Sequence, residues 1–227
     1  MSKILIPSNG PEDWRRLLAK PDLHWKIGRS ARAMANAWEE AGDLPNEIAH
    51  LFKDHPDFLD EQPELLVAMP EWKVPLPGGV RESQSDVFAL IRCGTRTLAV
   101  AVEGKVDETL GPTVEEWLVG ASDGKQERLS FLCGHLNLMI EKVLPLRYQL
   151  FHRTVSAIIE CERFGMDYAA MVIHSFSQEH AWFEDYRAFA LALGGSGRRG
   201  ELDRVRLGSG KSLYLGWVTG ELRYLSA

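Results

Sequence analysis

The chain has 227 residues, 45% hydrophobic and 26% charged, with a net charge of −6. That length suits one large domain with its own core, and the acidic balance argues against nucleic-acid binding by the whole surface while leaving room for a local basic groove. No apolar run approaches the roughly 18–20 residues of a membrane span, and the N-terminal "ILIPS" patch, interrupted by Pro7 and Gly10, is too short for a signal peptide, so a cytoplasmic protein with no membrane association is expected.

In chain order, "PEDWRRLLAK" (11–20) predicts a short helix with Pro11 in its first turn. "SARAMANAWEEA" (30–41) predicts a stronger one, capped by Ser30 and stopped by Gly42, with Ala31, Met34, Trp38 and Ala41 on one face. "LPNEIAHLFKDHP" (44–56) predicts a third, ended by Pro56. A strand near Leu65–Val74 leads into the loop "PLPGGVRES". A hairpin, "SDVFALIRCGTRTLAVAVEGKV" (85–106), comes next, then helical periodicity over 126–142 and 147–164. "YAAMVIHSF" (168–176) is short and apolar throughout, as a strand buried on both faces would be. A helix over 180–193 and a closing hairpin over 202–218, turning at Gly208–Gly210, complete the order. Strands and helices interleave, which points to an α/β fold, a mixed central β-sheet flanked by helices. Cys93, Cys133 and Cys161 form no C-x-x-C pair, so a structural zinc is not expected, and their odd number suits a reducing compartment.

The hairpin carries the chemistry. With Gly94–Thr95 as a two-residue loop, facing residues have numbers that sum to 189, and Asp86 lies opposite Glu103. Facing Cβ atoms in such a pair are about 4.5–5.5 Å apart, and two carboxylates that close repel unless a proton or a cation sits between them. A hard divalent ion, Mg²⁺ or Mn²⁺, is a natural solution. Lys105, two residues past Glu103, points to the same face, as do Ala99 and Ala101, whose small side chains leave space beside the acids. The alternative is a solvated ion-pair cluster at a sheet edge, and a shift of one residue would put the acids on opposite faces.

"SD" at 85–86 and "EGK" at 103–105 resemble the signature of the PD-(D/E)xK nuclease superfamily, an Asp opening one strand and a (D/E)-x-K on the next. The resemblance spans roughly residues 30–176 and extends to the helix–strand order on both sides. Two positions depart from the pattern: Ser85 stands where Pro is usual, and Gly104 where an apolar residue is usual. The resemblance implies a restriction-endonuclease-like αβββαβ core (30–176) within a single domain over 1–227, preceded by an N-terminal helical extension (1–29) and followed by an added C-terminal helix and hairpin (177–227). It further implies metal-dependent phosphodiester hydrolysis of nucleic acid, with DNA as the expected substrate. Asp86 and Glu103 would hold the Mg²⁺ or Mn²⁺, Lys105 would orient water or stabilise the transition state, and Glu39 of the preceding helix is the candidate further ligand, with Glu82 a weaker one. A homodimer would suit double-strand cleavage. A protein that keeps the fold as a binding or structural module without catalysis is the rival reading.

Other features carry less. "GSGKS" (208–212) lacks the first glycine of a phosphate loop, Val205 standing there, and runs into a strand rather than a helix. His152 and Arg153, mid-helix, are candidate phosphate contacts, with a structural histidine as the alternative. Arg204 and Arg206, in a local excess with Arg198, Arg199 and Lys211, are candidate contacts to a nucleic-acid backbone, or else a charged edge that protects the sheet. Trp14, Trp25 and Trp38 are read as core or partner-surface residues rather than base-stacking ones.

Overall fold

The computed structural model describes residues 3–5, 8–59, 61–208 and 210–227. A 3-10 turn, Pro11–Leu17, is followed by α1 (Pro21–His24), α2 (Ser30–Ala41) and α3 (Asn46–Lys53). Three long strands come next: β1 (Pro63–Val74), β2 (Ser83–Cys93) and β3 (Arg96–Lys105). Four helices lie between β3 and β4 (Tyr168–Ser175): α4 (Val114–Leu118), α5 (Asp123–Leu136), α6 (Ile140–Val143) and α7 (Tyr148–Arg163). Helix α8 (Phe183–Ala192) precedes β5 (Leu202–Arg206) and β6 (Ser212–Thr219), and a 3-10 turn, Leu222–Leu225, closes the chain.

Among the described residues, six strands form one mixed sheet in the order β1-β2-β3-β4-β6-β5. The β1–β2, β2–β3 and β5–β6 pairs are antiparallel, whereas β4 runs parallel to both β3 and β6. This is the expected α/β architecture. The C-terminal hairpin continues the same sheet, with β6 docked directly on β4; residue 209, within its expected turn, lies outside the described residues, as do residues 6 and 7 of the "ILIPS" patch.

Alternation along the strands sorts side chains into two cores. On β3, Leu98, Val100 and Val102 join a core with α2, α3, Trp14, Trp25 and Trp38. Ala99 and Ala101 point the other way, into a core with α5, α7 and α8. The alanines let α7 lie close over β3 and β4. The N-terminal segment is thus part of the domain's own packing, with Trp14 only 3% exposed.

The local signals hold in most places. Helix α2 spans 30–41 and ends on Gly42 in the left-handed region (φ 58°), but its N-cap is Arg29. Ser30 instead donates its backbone N–H and its hydroxyl to Glu108, tying the helix start to the loop after β3. The helical stretch at 126–142 is two helices, because Asn137 takes a left-handed conformation (φ 54°). The expected helix over 11–20 is a 3-10 turn followed by α1. Among the described residues no helix is long and apolar enough to cross a membrane.

Candidate functional site

The β2–β3 ladder runs from Cys93↔Arg96 to Val87↔Val102, so the register summing to 189 is the one observed. It stops one residue short of Asp86 and Glu103. There the Asp86 carboxylate takes over from the strand, accepting the Gly104 backbone N–H at 2.7 Å. Strand β3 continues three residues beyond that ladder against β4, to Lys105↔Ser175. The strands therefore part on the β2 side while β3 stays supported, and a cavity of about 330 Å³ opens at this end of the sheet. Glu71, Asp86, Glu103, Lys105, Gln149 and Arg153 line it.

Glu103 is 3% exposed and Lys105 5%. Both follow Ala99 and Ala101 onto the α7 face, as the period of two requires. One carboxylate oxygen of Glu103 accepts from Lys105 Nζ (2.8 Å) and Gln149 Nε2 (2.6 Å), and the other accepts from Arg153 Nε. Gln149 and Arg153 are four residues apart on α7 and so share its inward face. Burial alone would raise the Glu103 carboxyl, but Arg153 and Lys105 overcome it and hold the group down at about 2. Asp86 goes the other way: burial, then repulsion from Glu103, pushes it up to about 7.

Glu71 was not anticipated from the sequence. It sits on β1 between the pairs Pro70↔Val87 and Trp72↔Ser85, opposite Asp86. Its backbone is left-handed (φ 54°), a conformation that disfavours any residue with a Cβ. Gln84 Nε2 donates to its carboxylate (2.5 Å). Burial, then repulsion from Asp86, pushes Glu71 up to about 8. An acid after a proline in an apolar strand was the only signal the sequence held for it. Gln149 carried none beyond its spacing from Arg153.

Gly104 has a steric reason to replace the usual apolar residue. A Cβ there would lie 2.5 Å from Met34 Cγ and 3.2 Å from Asp86 Oδ2. Helix α2 has filled the space on the far face of β3, and the bare backbone lets Asp86 reach the N–H.

Several expected site residues lie elsewhere. Glu39 turns from β3 toward the N-terminal segment, accepting from Ser8 Oγ (2.5 Å) and Trp14 Nε1 (2.7 Å), so it is not placed to ligate an ion at Asp86. Glu82 is exposed and lines a different cavity. Arg204 and Arg206 are exposed on the edge strand β5. They sit three strands from β3, near the start of β6, whereas Lys105 aligns with the far end of β4. Arg204 pairs with Asp57 (3.1 Å) and Lys211 with Glu162 (2.9 Å), as on a charged, solvated edge. His152 faces the same neighbouring cavity as Glu82, while Arg153 does reach the site.

Whether this donor set suits a divalent cation can be judged from its chemistry. Among the described residues no three His, Cys, Asp or Glu side chains already converge as a finished cage. Asp86 and Glu71, however, are crowded acids whose ionisation burial and mutual repulsion oppose more strongly than Lys105 and Arg153 favour it, so a cation would take the place of their protons. A hard cation bound by one or two carboxylates and completed by water fits such a pair.

No curated protein and no solved structure matches the chain. The model of one family, a domain of unknown function designated DUF6946, matches residues 7–222, nearly the whole length, and the chain belongs to that family.

Proposed function

We propose that this protein is a metal-dependent phosphodiesterase acting on nucleic acid, with DNA as substrate and Asp86, Glu103 and Lys105 as its reactive set. The observation that supports this reading is the convergence of those three side chains on one cavity at the end of β3, beside Glu71, with Asp86 and Glu71 crowded enough that each holds its proton toward neutral pH. Asp86 and Glu103 would hold the cation, Mg²⁺ or Mn²⁺, with Glu71 lining the same cavity; Glu103 would ligate by giving up one of the donors it now accepts from Lys105, Gln149 and Arg153, and the ion when bound supplies a polarised phosphate and a water of lowered pKa. Lys105 Nζ, fixed by Glu103, is a ready donor for a phosphoryl oxygen or for the attacking water. Arg153 offers a second cation at the same wall and can meet the charge that develops on the phosphate. Gln149 holds Glu103 in place. The three buried, unpaired cysteines accord with work in a reducing cytoplasm.

A second reading is favoured by one observation: Glu103 is already satisfied by Lys105, Gln149 and Arg153, as in a site retired to structural duty. Incubation with single-stranded and plasmid DNA in Mn²⁺, beside calorimetric titration of Mn²⁺, separates the two. Cleavage and Mn²⁺ binding that both disappear in Asp86→Asn are expected. Cleavage that persists unchanged in Asp86→Asn and in Lys105→Ala would refute this mechanism, and absence of both binding and cleavage would favour the retired site.

A further inference from the structure

A second cavity, of about 350 Å³, has no lining residue in common with the first but is joined to it through Arg153. Arg153, which lines the first, bridges the two: its Nε meets Glu103, and its Nη1 meets Ser83 Oγ (3.2 Å) and His152 Nδ1 (3.3 Å), both from residues lining the second cavity. Leu76, Pro112, Trp117 and Tyr148 supply further walls. Those walls are built rather than loose. The Trp117 and Tyr148 rings stack at 3.9 Å and 9°, and Lys125 Nζ lies 5.3 Å from the Trp117 ring. Arg128 clamps the loop at Leu76 by donating to the carbonyls of Leu76, Pro77 and Gly79.

The polar groups argue against a phosphate inside. Arg128, the basic residue among the buried lining, is committed to those carbonyls and to the Tyr148 hydroxyl. Burial, then the nearby Arg153, keeps the His152 imidazole uncharged. Its Nδ1 meets Ser83 Oγ at 2.9 Å, while among the described residues its Nε2 has no partner. Arg81 and Glu82, both exposed, offset each other. A rigid, largely apolar slot with one unpaired ring nitrogen suits a neutral planar ring that carries a hydrogen-bonding edge. Trp117 and Tyr148 already cover each other's faces, so contact would come from ring edges and the imidazole.

We propose that this cavity receives the unpaired base of the nucleotide next to the phosphate held at Asp86, Glu103 and Lys105. The inference rests on the nuclease reading and narrows its substrate. A base inside a duplex is stacked and cannot enter, so the strand must be single, frayed or flipped at this nucleotide.

The test uses the full chain, Ca²⁺ in place of the reactive ion, and short fluorescent single-stranded DNAs in which one base at a time is replaced by an abasic residue. Anisotropy should show one sensitive position, where loss of the base weakens binding about tenfold, equivalent to about 1.4 kcal/mol, with a matched duplex binding more weakly than the strand. His152→Phe, which removes Nε2, and Leu76→Trp, which fills the slot, should bring the intact strand down to the abasic level. If either variant fails to fold, the abasic series on the unmodified protein still decides. A flat series alongside Asp86-dependent cleavage overturns the base slot alone. One sensitive position in a strand that is bound but never cut keeps the slot and overturns the catalytic reading. Failure to bind either strand or duplex overturns both.

Discussion

Asp86→Asn should stabilise the metal-free protein at alkaline pH. The substitution removes a negative charge next to Glu103 while leaving an oxygen to accept the Gly104 N–H. The folded chain raises this carboxyl from 3.8 to about 7, and at about 1.4 kcal/mol per pH unit this sets an upper bound of about 4 kcal/mol. Side-chain relaxation and coupling to Glu71 reduce it to about 2 kcal/mol. The sign follows from the direction of the shift. Below about pH 4 the carboxyl is neutral in the folded and unfolded chain, and the variant gains nothing. As pH climbs toward 7 the unfolded chain releases the proton freely and the folded chain does not, so the wild type loses stability relative to the variant, reaching a plateau above pH 7. For a chain of this size the plateau corresponds to about 4–8 °C in Tm. Melting in EDTA from pH 4 to 8.5 measures it, and added Mn²⁺ should raise the wild-type Tm but not that of the variant. A variant no more stable than wild type at pH 8 in EDTA would refute the reasoning that Asp86 is a frustrated charge.

Glu103→Gln should have the opposite effect, costing about 3–5 kcal/mol in denaturant unfolding, because Lys105 and Arg153 lose the carboxylate between them; an unchanged midpoint would mean those cations find water. Gly104→Ala should cost about 1–3 kcal/mol through the clash with Met34, and Met34→Ala added to it should recover part of that loss, which a double-mutant cycle reads directly. Tyr186→Phe should be neutral or mildly stabilising, since the buried Tyr186 hydroxyl lacks a partner among the described residues; a loss above about 1 kcal/mol would reveal a hydrogen bond there.

What the sequence determined by itself is local. A two-residue turn at Gly94–Thr95 sets the register, and a period of two then puts Asp86, Glu103 and Lys105 on the face of Ala99 and Ala101. Short-range geometry decides both, so both can be counted along the chain. The same holds for helix α2 and its Gly42 stop, and for β4, whose unbroken apolar run announces burial on both faces. The tertiary structure decided which distant residues meet that face. Gln149 and Arg153 reach Glu103 because α7 crosses the alanine stripe, and Glu71 lies opposite Asp86 because β1 pairs with β2 on either side of it, at Pro70↔Val87 and Trp72↔Ser85. Glu39 is drawn off by Trp14 and Ser8. Arg204 and Arg206 stay remote because β6 docks parallel on β4 and carries β5 to the far edge of the sheet. Contacts of this kind depend on the order of strands in space and on which helix covers which face, and those follow from the burial of the whole core rather than from any short run of residues.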